Sequence, residues 1–179
     1  MSRMKLCLAV AVLLSAAALP AAPTERKLPI KMADMATRFK KHCPEHVKVS
    51  VQNDTLIISV AAVDHRGGFD ETHAISLKPL AGRVMTFMFD VKVDKTEGGA
   101  EPVHSIGKIT VGSANQHILA DAEGWQTYTF KNVKIPGNGL LKMRIAIKNV
   151  SGELSIRNPR IKGDFPKVHK KKNKNRKKN

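Results

Sequence analysis

From Val47 onward the chain repeats one pattern, in which apolar residues fall at every second position in short runs separated by turn residues. Val47, Val49 and Val51 alternate with Lys48, Ser50 and Gln52. In Arg83–Val93 the residues Met85, Phe87, Phe89, Val91 and Val93 share one face, and Thr86, Asp90 and Lys92 share the other. Leu141, Met143, Ile145 and Ile147 oppose Lys142, Arg144 and Lys148. A side-chain period of two belongs to an extended strand with one buried face, not to a helix. Thr55–Val63, His73–Leu80, Val103–Val111, Trp125–Ile135 and Glu153–Ile161 read as further strands. Turns are marked at Asn53-Asp54, Ala81-Gly82, Pro136–Gly139 and Ser151-Gly152, and Asn138-Gly139 predicts a hairpin. About eight antiparallel strands, each with one apolar face, predict an all-β protein: two sheets packed face to face as a jelly-roll β-sandwich.

The sandwich is expected over residues 46–164. Residues 1–21 read as a signal peptide: Arg3 and Lys5 precede an apolar run, Leu6–Leu19, and small residues follow at Ala21 and Ala22. That run falls short of the roughly 20 residues a membrane-spanning helix needs, so no transmembrane segment is expected in the mature chain. The protein is therefore expected to be secreted, to the periplasm or the extracellular space. Residues 22–45 form an N-terminal segment, linker-like from Pro23 to Pro29. Met32, Met35 and Phe39 then stand at helical spacing, which predicts a short helix ended by Cys43-Pro44, with an irregular strand as the other reading. Cys7 leaves with the signal, and Cys43 alone cannot form an internal disulfide, so stability must come from an apolar core.

Charge is concentrated at the C-terminus. The formal net charge is +16, and Lys167–Asn179 holds eight Lys and Arg and no acid. Such a block repels itself, so residues 165–179 are expected to be a disordered basic tail. On an exported protein the cations Lys170, Lys171, Lys172, Lys174, Arg176, Lys177 and Lys178 would meet acidic polysaccharide or an anionic cell surface. Nucleic acid would bind without sequence preference, so no specific nucleic-acid partner is expected. The other reading of the tail is a passive solubilising segment.

The densest polar cluster in the body is the loop Asp64–Glu71, where Asp64, His65, Arg66 and Asp70 are candidate ligand-binding residues beside the Gly67-Gly68 turn. The same loop also reads as ordinary solvated surface. Its carboxylates could hold calcium through oxygen ligands. Trp125 is the single tryptophan. It is either a stacking platform for a ligand or a residue packed into its strand, and large aromatics are more often buried. His65, His73, His104 and His117 match no zinc spacing. Asp70-Glu71 are chain neighbours and would point apart, and no nucleophile–base spacing stands out, so no enzyme activity is expected.

One order of motifs is more specific. Gly124-Trp125-Gln126-Thr127-Tyr128-Thr129-Phe130 is followed by Gly139–Ile147 and then by Gly152–Ile161, while Pro79-Leu80-Ala81-Gly82 precedes the long strand that contains Phe87–Val93. This resembles the carbohydrate-binding-module type of jelly roll, in the galactose-binding-like group, over roughly Val47–Ile161. The resemblance implies a non-catalytic module that binds a glycan or acidic polysaccharide. In many members an aspartate in the last strand helps hold a structural calcium. This chain has Arg157 or Asn158 there, which argues against that ion, and no cofactor is expected. The alternative is a cell-envelope or matrix interaction protein, whose sandwich contacts protein and whose tail anchors it.

The tail yields a direct expectation. Its cations lie well within the Debye length of about 8 Å at physiological salt, so they act together and release counterions on binding. For duplex DNA each neutralised phosphate adds about 0.9 to the log–log salt slope. Deleting Lys167–Asn179 is expected to weaken heparin binding steeply and to flatten its salt dependence without unfolding the body. Unchanged affinity and slope in the truncated chain would move the polyanion site to the sandwich.

Overall fold

The computed structural model describes residues 23–41, 43–61, 69–97, 105–120, 123–148 and 151–166. The expected signal peptide, the loop residues Asp64, His65 and Arg66, and the tail cations Lys170–Lys178 lie outside the described residues. Among those described, no helix is long and apolar enough to cross a membrane.

Ten strands form two antiparallel sheets. In chain order they are β1 (Thr24–Lys27), β2 (Val47–Gln52), β3 (Thr55–Val60), β4 (Phe69–Ser76) and β5 (Val84–Glu97). Then come β6 (Ser105–Val111), β7 (Ala114–Leu119), β8 (Gln126–Lys134), β9 (Leu140–Ile147) and β10 (Ser151–Gly163), and α1 (Met32–Lys40) lies between β1 and β2. The six-stranded sheet runs β2-β3-β10-β5-β8, with β1 on the C-terminal half of β10. The four-stranded sheet runs β4-β9-β6-β7. After β3 the chain crosses between sheets at every connection except β6 to β7, so the fold is an all-β jelly-roll sandwich.

The alternating faces land as the sequence predicts. Met85, Phe87, Phe89 and Val91 of β5 are buried, and they face Leu141, Met143, Ile145 and Ile147 of β9 across one core. Phe89 meets Phe130 edge-on, with ring centroids 6.1 Å apart. The expected helix is present. Its buried face is Met32, Met35, Ala36 and Phe39, and the Phe39 ring meets Phe69 edge-on at 5.5 Å. The helix thus covers the part of the core where β2, β3 and β4 end.

Three expectations are corrected. Thr24–Lys27, expected within a linker, pairs with Arg160–Gly163 as β1. Its residues are all exposed and polar, so no apolar period marks it; the register comes from β10. Ala114–Leu119, with Ile118 as its one large buried residue, is a strand the apolar pattern does not signal. Asn138-Gly139 does not close a hairpin, because β8 and β9 lie in different sheets. Of that pair only Gly139 has a positive φ (71°), whereas a type I′ turn needs both. Asn53 and Asp54 have φ of 48° and 57°, and they do close the β2–β3 hairpin.

His73 sits on the inner face of β4, 7% exposed, with the Phe39 ring against it and no partner for Nδ1. Burial, and then the Arg38 charge, push its pKa below the ordinary histidine value, while Asp34 opposes them. The folded chain therefore refuses a proton that the unfolded chain accepts once the pH drops below about 6.5. Stability present above that pH should decline as the pH falls from about 6.5 towards the lowered folded value. Denaturant melts at pH 7.5 and 5.5 should show this loss, and His73→Leu should remove it. An equal loss in the variant would put the acid sensitivity elsewhere.

Candidate functional site

The two outer sheet faces carry different chemistry. On the six-stranded sheet the register sets Arg157 opposite Asp90, and Asp90 opposite Thr127. Asp90 is engaged by three donors. Its Oδ1 accepts from Thr127 Oγ1 (3.0 Å) and from the Arg160 guanidinium (2.6 Å), and its Oδ2 accepts from Asn158 Nδ2 (2.8 Å). Arg160 also faces Glu25 of β1 at 3.6 Å. The bulge between Arg157 and Arg160, with Asn158 at φ 50°, turns both Asn158 and Arg160 onto Asp90. Pro159 fits there because a bulge needs no ladder N–H from it, and its carbonyl accepts from Leu28 N at 2.8 Å.

Arg157 makes no ion pair with Asp90 among the described residues and stands over the Trp125 ring, 3.7 Å from its centroid. Trp125 immediately precedes β8, in phase with outward-facing Thr127, and it is half-buried. It is therefore not a core residue. The core aromatics of that strand are Tyr128 and Phe130, and the Tyr128 hydroxyl accepts from Leu119 N and so ties β8 to β7. Among the described residues Arg157 enters no ion pair.

The four-stranded sheet shows a basic outer face. One row across it reads Asp70, Ala146, Lys108, His117, and the next reads Thr72, Arg144, Thr110, Asn115. Asp70 therefore lies within β4 rather than in a loop, and its carboxylate is gripped by both ends of the Arg144 guanidinium. That hydrogen bond holds the Asp70 carboxyl below its ordinary value against burial, which pushes the other way, with the positive charges of Arg144, Lys148 and Lys108 adding to the lowering.

The structure does not bring Asp70 and Trp125 together: they stand on opposite sheets. Sequence reasoning missed Asp90, Asn158, Arg160 and Arg157 as neighbours of Trp125. The signal that could have found them is the polar side of β5 and β10, which alternates out of phase with their core rows. The residues do not fit calcium at the last strand. There Asn158 and Arg160 donate to Asp90, so guanidinium and amide occupy the carboxylate that a cation would need. Among the described residues no three histidines, cysteines or acids converge as metal ligands.

No family model and no curated protein matches the chain. Solved structures do. A CBM4 structure is 14% identical, covering 66% of this chain and 78% of its own, with a TM-score of 0.40. The family 11 carbohydrate-binding module of a cellulosomal cellulase of Clostridium thermocellum is 12% identical, covering 69% and 84%, with a TM-score of 0.41. A variant of a family 29 carbohydrate-binding module is 12% identical, covering 82% and 85%, with a TM-score of 0.39. Likenesses at this level speak neither to ligand nor to site.

The Asp90 network yields a stability expectation. Asp90→Ala leaves Arg160, Asn158 and Thr127 without their shared acceptor and should cost about 1–3 kcal/mol, towards the lower end because Arg160 is partly solvated. Calorimetry that found no change in Tm would make the network decorative.

Proposed function

We propose that the chain is a secreted, non-catalytic carbohydrate-binding module whose basic tail associates with anionic polymers or surfaces. The observation that carries this reading is Trp125. It is the single tryptophan, it stands half-buried on an outer sheet face, and a guanidinium lies on its ring. An apolar pyranose face stacks on an aromatic ring of this kind, which a core tryptophan could not offer. Arg157 supplies donors beside it, and Asp90, Asn158 and Thr127 form a fixed polar wall in the same rows. A rigid wall of this kind orients sugar hydroxyls without the entropy cost of ordering side chains on binding.

The rival reading, an envelope or matrix protein whose sandwich contacts only protein, expects no aromatic on either outer face, and Trp125 is one. The loop residues Asp64, His65 and Arg66 remain part of the proposal as further hydrogen-bonding groups, and Asp70 contributes only if it leaves Arg144. The tail cations Lys170, Lys171, Lys172, Lys174, Arg176, Lys177 and Lys178 are proposed to hold the protein near acidic polysaccharide or an anionic cell surface.

A glycan array tests the reading. Saturable binding to one class of glycan is expected, and Trp125→Ala should weaken it about tenfold or more while the fold survives, since the ring fills no core position. An array blank across neutral and acidic glycans would remove the module reading, and binding indifferent to Trp125→Ala would remove the platform.

A further inference from the structure

On the outer face of the four-stranded sheet, opposite the sheet that carries Trp125, lies a recess over Gly107 and Ala146. It is lined by Ser105, Gly107, Lys108, His117, Ala146 and Lys148. The floor exists because β6 and β9 approach closely at Gly107: a Cβ there would sit 2.0 Å from the Ala146 carbonyl oxygen. Glycine at position 107 is therefore required, and with Ala146 beside it no large side chain fills the space. The β6 bulge between Ser105 and Gly107 turns Lys108 outward, in register with Ala146 on one side and His117 on the other.

The walls are cationic or able to donate. Among the described residues Lys108, Lys142 and Lys148 enter no ion pair, and the face's one acid at this end, Asp70, is committed to Arg144. The tautomer of His117 follows from its neighbour. Ser105 Oγ has one proton and gives it to the Gly107 carbonyl at 3.0 Å. The 3.3 Å contact between Ser105 Oγ and His117 Nδ1 must then be donated by the histidine. This arrangement leaves Ser105 without a base to activate it, and it holds the ring by Nδ1 so that Nε2 is the nitrogen a ligand would meet.

We propose that this recess is an anion site for an acidic polysaccharide, taking a sulfate or carboxylate group over Gly107 and Ala146 between Lys108, His117 and Lys148. Lys142, which enters no ion pair among the described residues, continues the positive field along β9 towards the next charged group of the same chain. Polysaccharide is favoured over nucleic acid by what the face lacks. Among the described residues no Phe, Tyr or Trp stands on this outward face, so it offers no broad stacking platform for single-stranded bases. Duplex DNA is read by a helix or ribbon that protrudes into a groove, and this feature is a hollow in a sheet. The site is independent of the Trp125 platform in both position and chemistry.

The test uses the full chain, so the tail contributes equally to every protein compared. Binding of a size-defined heparin oligosaccharide is measured over a salt series for the parent, for Lys108→Gln with Lys148→Gln, and for Lys48→Gln on the outer side of β2. The double variant should lose about tenfold in affinity with a shallower salt slope, and Lys48→Gln should stay within about twofold. The His117 ring resonances should shift on adding the oligosaccharide to the parent, a readout that needs no variant to fold. Equal small losses in both variants, or His117 resonances that do not move, would overturn the site. A duplex DNA of matched charge is the last arm. If the double variant lost DNA as strongly as heparin, the assignment to polysaccharide would fall.

Discussion

Cys43 is a free thiol, so the two sheets are held together by apolar side chains. Phe87, Phe89 and Phe130 on one side, and Phe69, Met143 and Ile145 on the other, are fully buried against one another. Each such side chain contributes about 1.5–3 kcal/mol relative to exposure. Because the chain passes from sheet to sheet at almost every connection, the rows of one sheet cannot slip without dragging the other. A slip of one residue would turn Phe87 and Phe89 to solvent and bury Asp90, so register is fixed by the core. The outer faces inherit that register, and every contact made by Trp125, Asp90 or Lys108 depends on it.

What could be read from the residues follows from this dependence. Strands with a dense apolar row, such as β5 and β9, were legible because burial itself writes the period of two. β1 and β7 were not, since β1 is held by backbone pairing to β10, and β7 by pairing to β6 together with two clips to β8. Gln116 Nε2 donates to the Thr129 carbonyl at 2.7 Å, a contact between residues that no local pattern relates. The candidate site was legible in kind more than in place. Trp125 stood out as the single tryptophan, yet its companions come from β5 and β10, far away in sequence. Asp70 stood out as a loop acid, but a strand begins at Phe69 and commits it to Arg144.

The two outer faces differ in how their acids are distributed. On the six-stranded sheet the acids stand beside cations: Asp90 and Glu25 with Arg160, Asp94 with Lys92 at 2.7 Å, and Asp54 with Lys27 at 3.1 Å. On the four-stranded sheet one acid meets four cations, and the Asp70–Arg144 pair leaves Lys108, Lys142 and Lys148 uncompensated among the described residues. The six-stranded sheet carries unpaired cations as well: Lys48, Lys131, Lys134, Arg157 and Lys162 enter no ion pair among the described residues. A face with few acids among its cations exerts a positive field and suits anions.

Register also explains why Arg157 rather than Arg160 stands over the Trp125 ring. Both project from β10 towards Asp90, and the register places Arg157 directly opposite it. The bulge at Asn158 and Pro159 brings Arg160 and Asn158 onto the carboxylate, and Thr127 also donates to Oδ1. Arg157 is then a cation beside an acid already engaged by three donors, and it lies on the Trp125 ring. A cation–π contact at a partly solvated site is worth about 0.5–1 kcal/mol, less than a charge-assisted hydrogen bond. Arg157 is thus ordered enough to define a surface with Trp125 and held weakly enough to exchange the ring for a ligand acceptor. Asp90 contributes to that poise by holding three other donors, so a network that looks purely structural also shapes the surroundings of Arg157.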